Sequence, residues 1–204
     1  HELIASLDVS IAAVVIGPGP GHPDNENDFS LVCREAYNSG LPVLGVCLGH
    51  QGLAIHCGGT IKKSKAGPRH GRLSKLRIAT EKEGGQGCLL HGLTSSDADV
   101  RVVRYHSLAV HEPLPSCLRA TAWASDDNTV MVMEHTTLPL FGIQYHPESI
   151  CTEKGDMVIT NFLKHAAEHH LNKKEGREQQ EQKEQKEQKE QKEQEEQKEQ
   201  QEQQ

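Results

Sequence analysis

The chain has 204 residues and a formal charge of −7, with 22 lysines and arginines against 29 aspartates and glutamates. That balance, with no basic stripe, argues against a nucleic acid partner. No apolar signal segment and no apolar run of about 18 residues is present, which argues against a membrane span.

Residues 11–16 (IAAVVI) form a continuous apolar run, suited to a strand covered on both faces of a parallel sheet. It ends in Gly17, Pro18, Gly19, Pro20 and Gly21, a spacing that no helix or strand survives. This loop is either an ordinary turn or a cradle whose backbone N–H groups face a ligand. Residues 29–38 then read as an amphipathic helix, and residues 43–47 (VLGVC) as a buried strand. A helix over 48–56 follows at once, stopped by Gly58 and Gly59. Strand, helix, strand at this spacing predicts a right-handed βαβ unit with its loops at one sheet edge, so the Gly19 loop and Cys47 should face one crevice.

Residues 60–96 turn basic and glycine-rich, as surface hairpins do, with a weak strand at 74–78. A better strand at 100–103 delivers Arg104, Tyr105, His106, Ser107 and Leu108 into a loop. Short strands at 121–124, 130–134 and 141–145 suit an antiparallel extension of the sheet. Tyr105 and Trp123 read as core aromatics. The closing helix, 156–168, should bury Met157, Ile159, Phe162, Leu163 and Ala166. His165, His169 and His170 on it read as solvated residues, with no metal site nearby, and Lys62, Lys63 and Lys65 as a solvated surface.

The domain is expected to span 1–172. Residues 173–204 carry 11 acidic and 8 basic residues, repeat Glu-Gln-Lys and hold nothing apolar from Gly176 on. They are expected to be disordered or partly helical, because such a segment cannot bury a core. The six cysteines, Cys33, Cys47, Cys57, Cys88, Cys117 and Cys151, show no paired spacing, so the expected compartment is reducing. That is the cytoplasm, or a plastid if an upstream transit segment has been lost.

Cys47 sits between strand and helix in a G-x-C-x-G elbow, with Gly45 and Gly49 two residues to either side. Unpaired N–H groups and the helix dipole at that point favour a thiolate over a thiol. The pattern alone fits a structural cysteine equally well. The HPES segment adds a second element. Pro147 biases His146 toward extended backbone, where residues two apart point the same way, so Glu148 can orient the imidazole as in a base-plus-orienter pair.

Together, GPGPG (17–21), GVCLGHQ (45–51), RYHSL (104–108) and QYHPES (144–149) resemble the class I glutamine amidotransferases. HGRLS (70–74), LPSCLRATAW (114–123) and NFL (161–163) are most similar to the glutaminase component of aminodeoxychorismate synthases. Anthranilate synthase components share RYHSL and HPES. The resemblance implies an α/β, flavodoxin-like open mixed sheet flanked by helices. The family's first strand, in a DNYDSFTYN-like segment, is expected before residue 1, so that strand is missing from the chain. It also implies Cys47 as nucleophile, His146 as base and then acid, and Glu148 as orienter. The N–H groups of Leu48 and the Gly19, Pro20, Gly21 loop would hold the oxyanion, and Gln51, Ser107 and Leu108 the glutamine. Ammonia would pass to a chorismate-binding synthase. No cofactor is implied in this domain, Mg2+ being expected only on the partner synthase. The alternatives are an anthranilate synthase component and a truncated module that docks without turnover.

Overall fold

A computed structural model of the chain describes residues 11–23, 28–93 and 100–202. Its elements are β1 (Val14–Ile16), α1 (Asp28–Asn38), β2 (Val43–Val46), α2 (Leu48–His56), β3 (Thr60–Lys63), β4 (Arg69–Ile78), β5 (Arg101–His106), β6 (Leu108–His111), β7 (Leu118–Ala124), β8 (Val130–His135), β9 (Leu140–Ile143) and α3 (Gly155–Glu202). Residues 94–96, the end of the expected hairpin region, lie outside the described residues, as do 203–204 of the tail.

The apolar runs become the parallel part of a seven-stranded sheet of order β1-β2-β9-β8-β7-β4-β5. Val14 lies opposite Val43, and Val43 opposite Leu140, both in parallel register. All four residues of β2 are buried, as expected for a strand with helices on both faces. Alternation sorts the two sides. Leu44, Val46, Phe141 and Ile143 pack with Val158 and Phe162 of α3, whereas Val43 and Leu140 pack with Cys33 of α1 and Leu53 and Ala54 of α2. From β8 onward the pairing is antiparallel, and β3 and β6 form a separate two-stranded ribbon.

The structure corrects four expectations. The weak strand at 74–78 is the ten-residue β4, which sits inside the sheet between β7 and β5. Arg104, Tyr105 and His106 belong to β5 itself and not to the loop after it. Tyr105 is 49% exposed and so is not a core aromatic, because β5 ends the sheet and its pleat turns that ring outward. In the closing helix Leu163 is exposed, and Val158 takes its place in the buried stripe with Phe162 and Ala166.

Helix α3 continues past 168 to Glu202. The chain divides into a unit of residues 1–166, which holds the sheet, and a unit of residues 167–204.

The turn from β2 into α2 leaves no room for side chains at either flanking glycine. A Cβ on Gly45 would lie 2.5 Å from the Gly49 carbonyl carbon, and one on Gly49 would overlap the Ile16 carbonyl oxygen. Gly45→Ala and Gly49→Ala are each expected to destabilise the domain by about 1–3 kcal/mol. At this chain length that lowers Tm by several degrees, which differential scanning calorimetry reads. An unchanged Tm in both variants would show the elbow to be loose.

Candidate active site

Cys47 has φ 53° and ψ −98°, a positive-φ conformation rare for a residue with a side chain. Backbone of this kind costs about 1–3 kcal/mol and persists only where its surroundings enforce it. Here the enforcement is the close approach at Gly45 and Gly49, together with the Cys47 N–H, which donates to the Ile143 carbonyl at 2.7 Å. The sulfur is directed into protein and the residue is only 6% exposed. Gln144 Nε2 donates to Sγ at 3.8 Å, and Sγ donates to the Tyr105 carbonyl at 3.9 Å.

Burial pushes the Cys47 thiol up to about 11. The Leu48 N–H at the start of α2 pulls the other way, and the Glu148 charge adds to the rise. The thiolate expected from the helix start is therefore not the resting form. Desolvation outweighs the dipole, and a neighbouring base must remove the proton.

The candidate base is His146, which makes no hydrogen bond to the sulfur in this structure. His146 Nδ1 lies 2.7 Å from Glu148 Oε1. A carboxylate accepts, so Nδ1 carries the hydrogen and Nε2 keeps its lone pair. Nε2 is buried and has no hydrogen-bond partner among the described residues. The backbone is fixed from both sides, as the His146 N–H donates to the Val103 carbonyl at 3.1 Å and Thr152 Oγ1 donates to the His146 carbonyl at 2.7 Å. Tyr105 couples the two halves. Its carbonyl meets the sulfur, and its ring stands edge-on to the His146 imidazole at 5.3 Å.

A cleft of about 200 Å³ lies beside Cys47. Gly19, Pro20, Gly21, Cys47, Leu48, Gln51, Ser107 and Leu108 line it, so the structure brings every expected substrate-contacting residue to one place. His70, Tyr105 and His106 complete the wall. His70 reaches it through a bulge: the β4–β5 register slips between His70 and Arg72, with Gly71 at φ 64°.

The wall at 104–108 rests on a buried cation. Arg104 is fully buried. Its Nη1 donates to Ser74 Oγ at 3.0 Å and Asp126 Oδ1 at 3.3 Å, and its Nη2 to Asp127 Oδ2 at 2.8 Å and Thr129 Oγ1 at 3.2 Å. Burial opposes the charge on Asp127, but hydrogen bonds from Arg104 and Thr129 hold its carboxyl below the usual range. Arg104 Nε donates to His106 Nε2 at 3.0 Å, which leaves His106 Nδ1 to donate to the Leu108 carbonyl at 2.8 Å. Burial, and then the Arg104 charge, push the His106 imidazole down to about 4, so this ring is neutral. Gln51 Nε2 donates to the same Leu108 carbonyl at 2.9 Å and to Gln144 Oε1 at 3.0 Å. Both amide hydrogens of Gln51 are thus committed to the wall, and its oxygen remains to accept from a ligand.

The family model described as glutamine amidotransferase class-I matches residues 1–166. An aminodeoxychorismate synthase of Streptomyces griseus is 47% identical over 164 residues, 80% of this chain and 21% of that protein. Aminodeoxychorismate synthase component 2 of Escherichia coli is 40% identical over 151 residues, 74% of each chain. Anthranilate synthase component 2 of Thermococcus kodakarensis is 40% identical over 155 residues, again 74% of each. The chain therefore spans about a fifth of the Streptomyces relative and about three-quarters of the two component proteins. Among solved structures, a Thermoplasma acidophilum protein described as one subunit of a GMP synthase superposes with a TM-score of 0.70 at 25% identity, over 83% of this chain and 79% of that one. The family model extends over the elbow, the cleft wall and the His146–Glu148 pair, and the chain belongs to the class-I glutamine amidotransferases.

Proposed function

We propose that this chain hydrolyses the side-chain amide of L-glutamine at Cys47 and supplies the ammonia to a chorismate-binding synthase that forms 4-amino-4-deoxychorismate. The observation that carries the chemistry is the meeting of a strained, buried cysteine with a cleft, linked through Tyr105 to an imidazole whose buried Nε2 has no hydrogen-bond partner among the described residues.

The Cys47 proton passes to His146 Nε2 as the sulfur bonds to the amide carbon, and Glu148 stabilises the imidazolium. The oxyanion is met by the Leu48 N–H and by N–H groups of the 19–21 loop, where Pro20 has none to give and Gly19 and Gly21 do. Each such donor is worth about 3 kcal/mol. His146 returns the proton to the leaving nitrogen, the C–N bond breaks, and ammonia departs from a γ-glutamyl thioester. Water, deprotonated by His146, then cleaves the thioester to glutamate and restores the thiol. Gln51 Oε1, with Ser107 and Leu108, would hold the amino and carboxylate ends.

The choice of acceptor rests on the HGRLS, LPSCLRATAW and NFL segments and on the identity to aminodeoxychorismate synthases. The 40% identity to an anthranilate synthase component keeps anthranilate formation as the second reading. Mixing the chain with each synthase and measuring 4-aminobenzoate against anthranilate decides between them, and ammonia used for anthranilate alone would overturn the first.

Cys47→Ala is expected to abolish both glutamine hydrolysis and thioester formation seen by mass spectrometry, and His146→Ala to lower kcat by about 10²–10⁴-fold. Glu148→Gln should cost less than His146→Ala, since the Glu148 side chain is 57% exposed and partly solvated. Full activity of Cys47→Ala would refute the mechanism. With the thiol near 11, alkylation of Cys47 by iodoacetamide in the free protein should rise about tenfold per pH unit between about pH 7 and about pH 10. A plateau reached below about pH 8 would show a resting thiolate instead.

A further inference from the structure

The sequence offers no metal-ligand spacing, but the fold assembles one such group away from the cleft. Cys57, Cys117 and His135 each present a ligand atom, and these atoms all lie within 4.8 Å of one another. Both thiols are free, and Cys117 Sγ donates only weakly, to the Cys57 carbonyl at 3.7 Å. Tetrahedral zinc with Zn–S near 2.3 Å places two sulfurs about 3.8 Å apart, so the group needs to draw in by roughly 1 Å at most.

We propose that Cys57, Cys117 and His135 form a site for one thiophilic divalent cation of the Zn2+ and Cd2+ class. Two thiols and an imidazole, with no carboxylate among them, are the donor set such a cation prefers over Mg2+ or Ca2+. The charge is favourable as well. Cys57 caps the C-terminal end of α2, with its N–H donating to the Leu53 carbonyl at 3.1 Å, and the negative end of a helix dipole attracts a cation. Binding exchanges the two thiol protons for the metal, giving a neutral bis-thiolate complex and two protons in solvent. Without a cation, burial and then the neighbouring Cys117 push the Cys57 thiol up to about 12, because two adjacent thiolates repel.

The three donors are not equal. His135 Nδ1 accepts from the N–H groups of Leu138 at 2.9 Å and Thr137 at 3.2 Å, so the neutral ring carries its proton on Nε2. Nδ1 can ligate only by giving up those amide contacts, and Nε2 only after its proton has moved to Nδ1. The thiolates therefore carry most of the affinity, and His135 adds the third bond. Tyr37 of α1 stands edge-on to the His135 ring at 6.3 Å and closes one side. An occupied site would join the far end of the nucleophile's helix to the start of β7 and the end of β8.

The test is a Cd2+ titration of the metal-stripped full chain carrying Cys47→Ala, which removes the competing nucleophile. One cadmium per chain with a thiolate charge-transfer band is expected. Affinity should fall about 100-fold in Cys57→Ser or Cys117→Ser, about tenfold in His135→Ala, and not at all in Cys88→Ser or Cys151→Ser. A band that survives the double Cys57→Ser, Cys117→Ser substitution, or no band with cadmium in excess, would overturn the proposal. Alkylation mapping on the chain without serine substitutions is independent of how the variants fold. One equivalent of Zn2+ should protect Cys57 and Cys117 but not Cys151, and equal labelling of all three would overturn it.

Discussion

The conformation of one residue, Cys47, governs the rest of the site. A positive-φ residue with a side chain, placed between a fully buried strand and a helix, holds only because two glycines let the chain close on itself there. Three consequences follow from this single turn. The sulfur is presented where β2 ends, the Leu48 N–H is left at a helix start with no carbonyl behind it, and Gln51 comes one turn later onto the cleft wall. The strain is carried by the ladder beneath it, which runs unbroken from β1 through β2 into β9.

Burial sets how this cysteine works. A helix dipole would tend to hold a thiolate, yet the desolvation of a 6% exposed residue is larger. A thiol at rest has a physical advantage, since a buried thiolate with no substrate would alkylate or oxidise readily. In the proposed mechanism, activation depends on the His146 imidazole and on charge developing next to N–H donors, so that the nucleophile is strong only while there is a carbonyl to attack.

Much of this was legible in local pattern. The helices at 28–38 and 48–56 lie within a residue of their expected limits, because apolar spacing and glycine stops act over a few positions. Cys47 stood out through its glycines, and the residues named for the cleft all line it. What stayed hidden depends on distant partners. Arg104 read as the first residue of a loop after a strand, and nothing near it in sequence announces Asp126 and Asp127, which let it be buried inside β5. Gln144 was part of a recognised motif, but its link to the sulfur crosses 97 positions. His70 faces the cleft through a bulge that the basic, glycine-rich segment around it does not signal. The thiol state of Cys47 was misread for the same reason, since dipoles follow from local structure and desolvation follows from the whole fold.

The tip of the β7–β8 hairpin holds a last consequence. A short polar turn such as Ser125–Asp126–Asp127–Asn128 is where chains ordinarily accept insertions. Here it supplies the counter-ions of a fully buried guanidinium, which in turn fixes the ring that braces the Leu108 carbonyl. Lengthening that turn would strand a charge in the protein interior and loosen the cleft wall from behind. Among relatives of this chain, the spacing of that hairpin should therefore vary as little as the spacing around the nucleophile itself, although it carries no chemistry of its own.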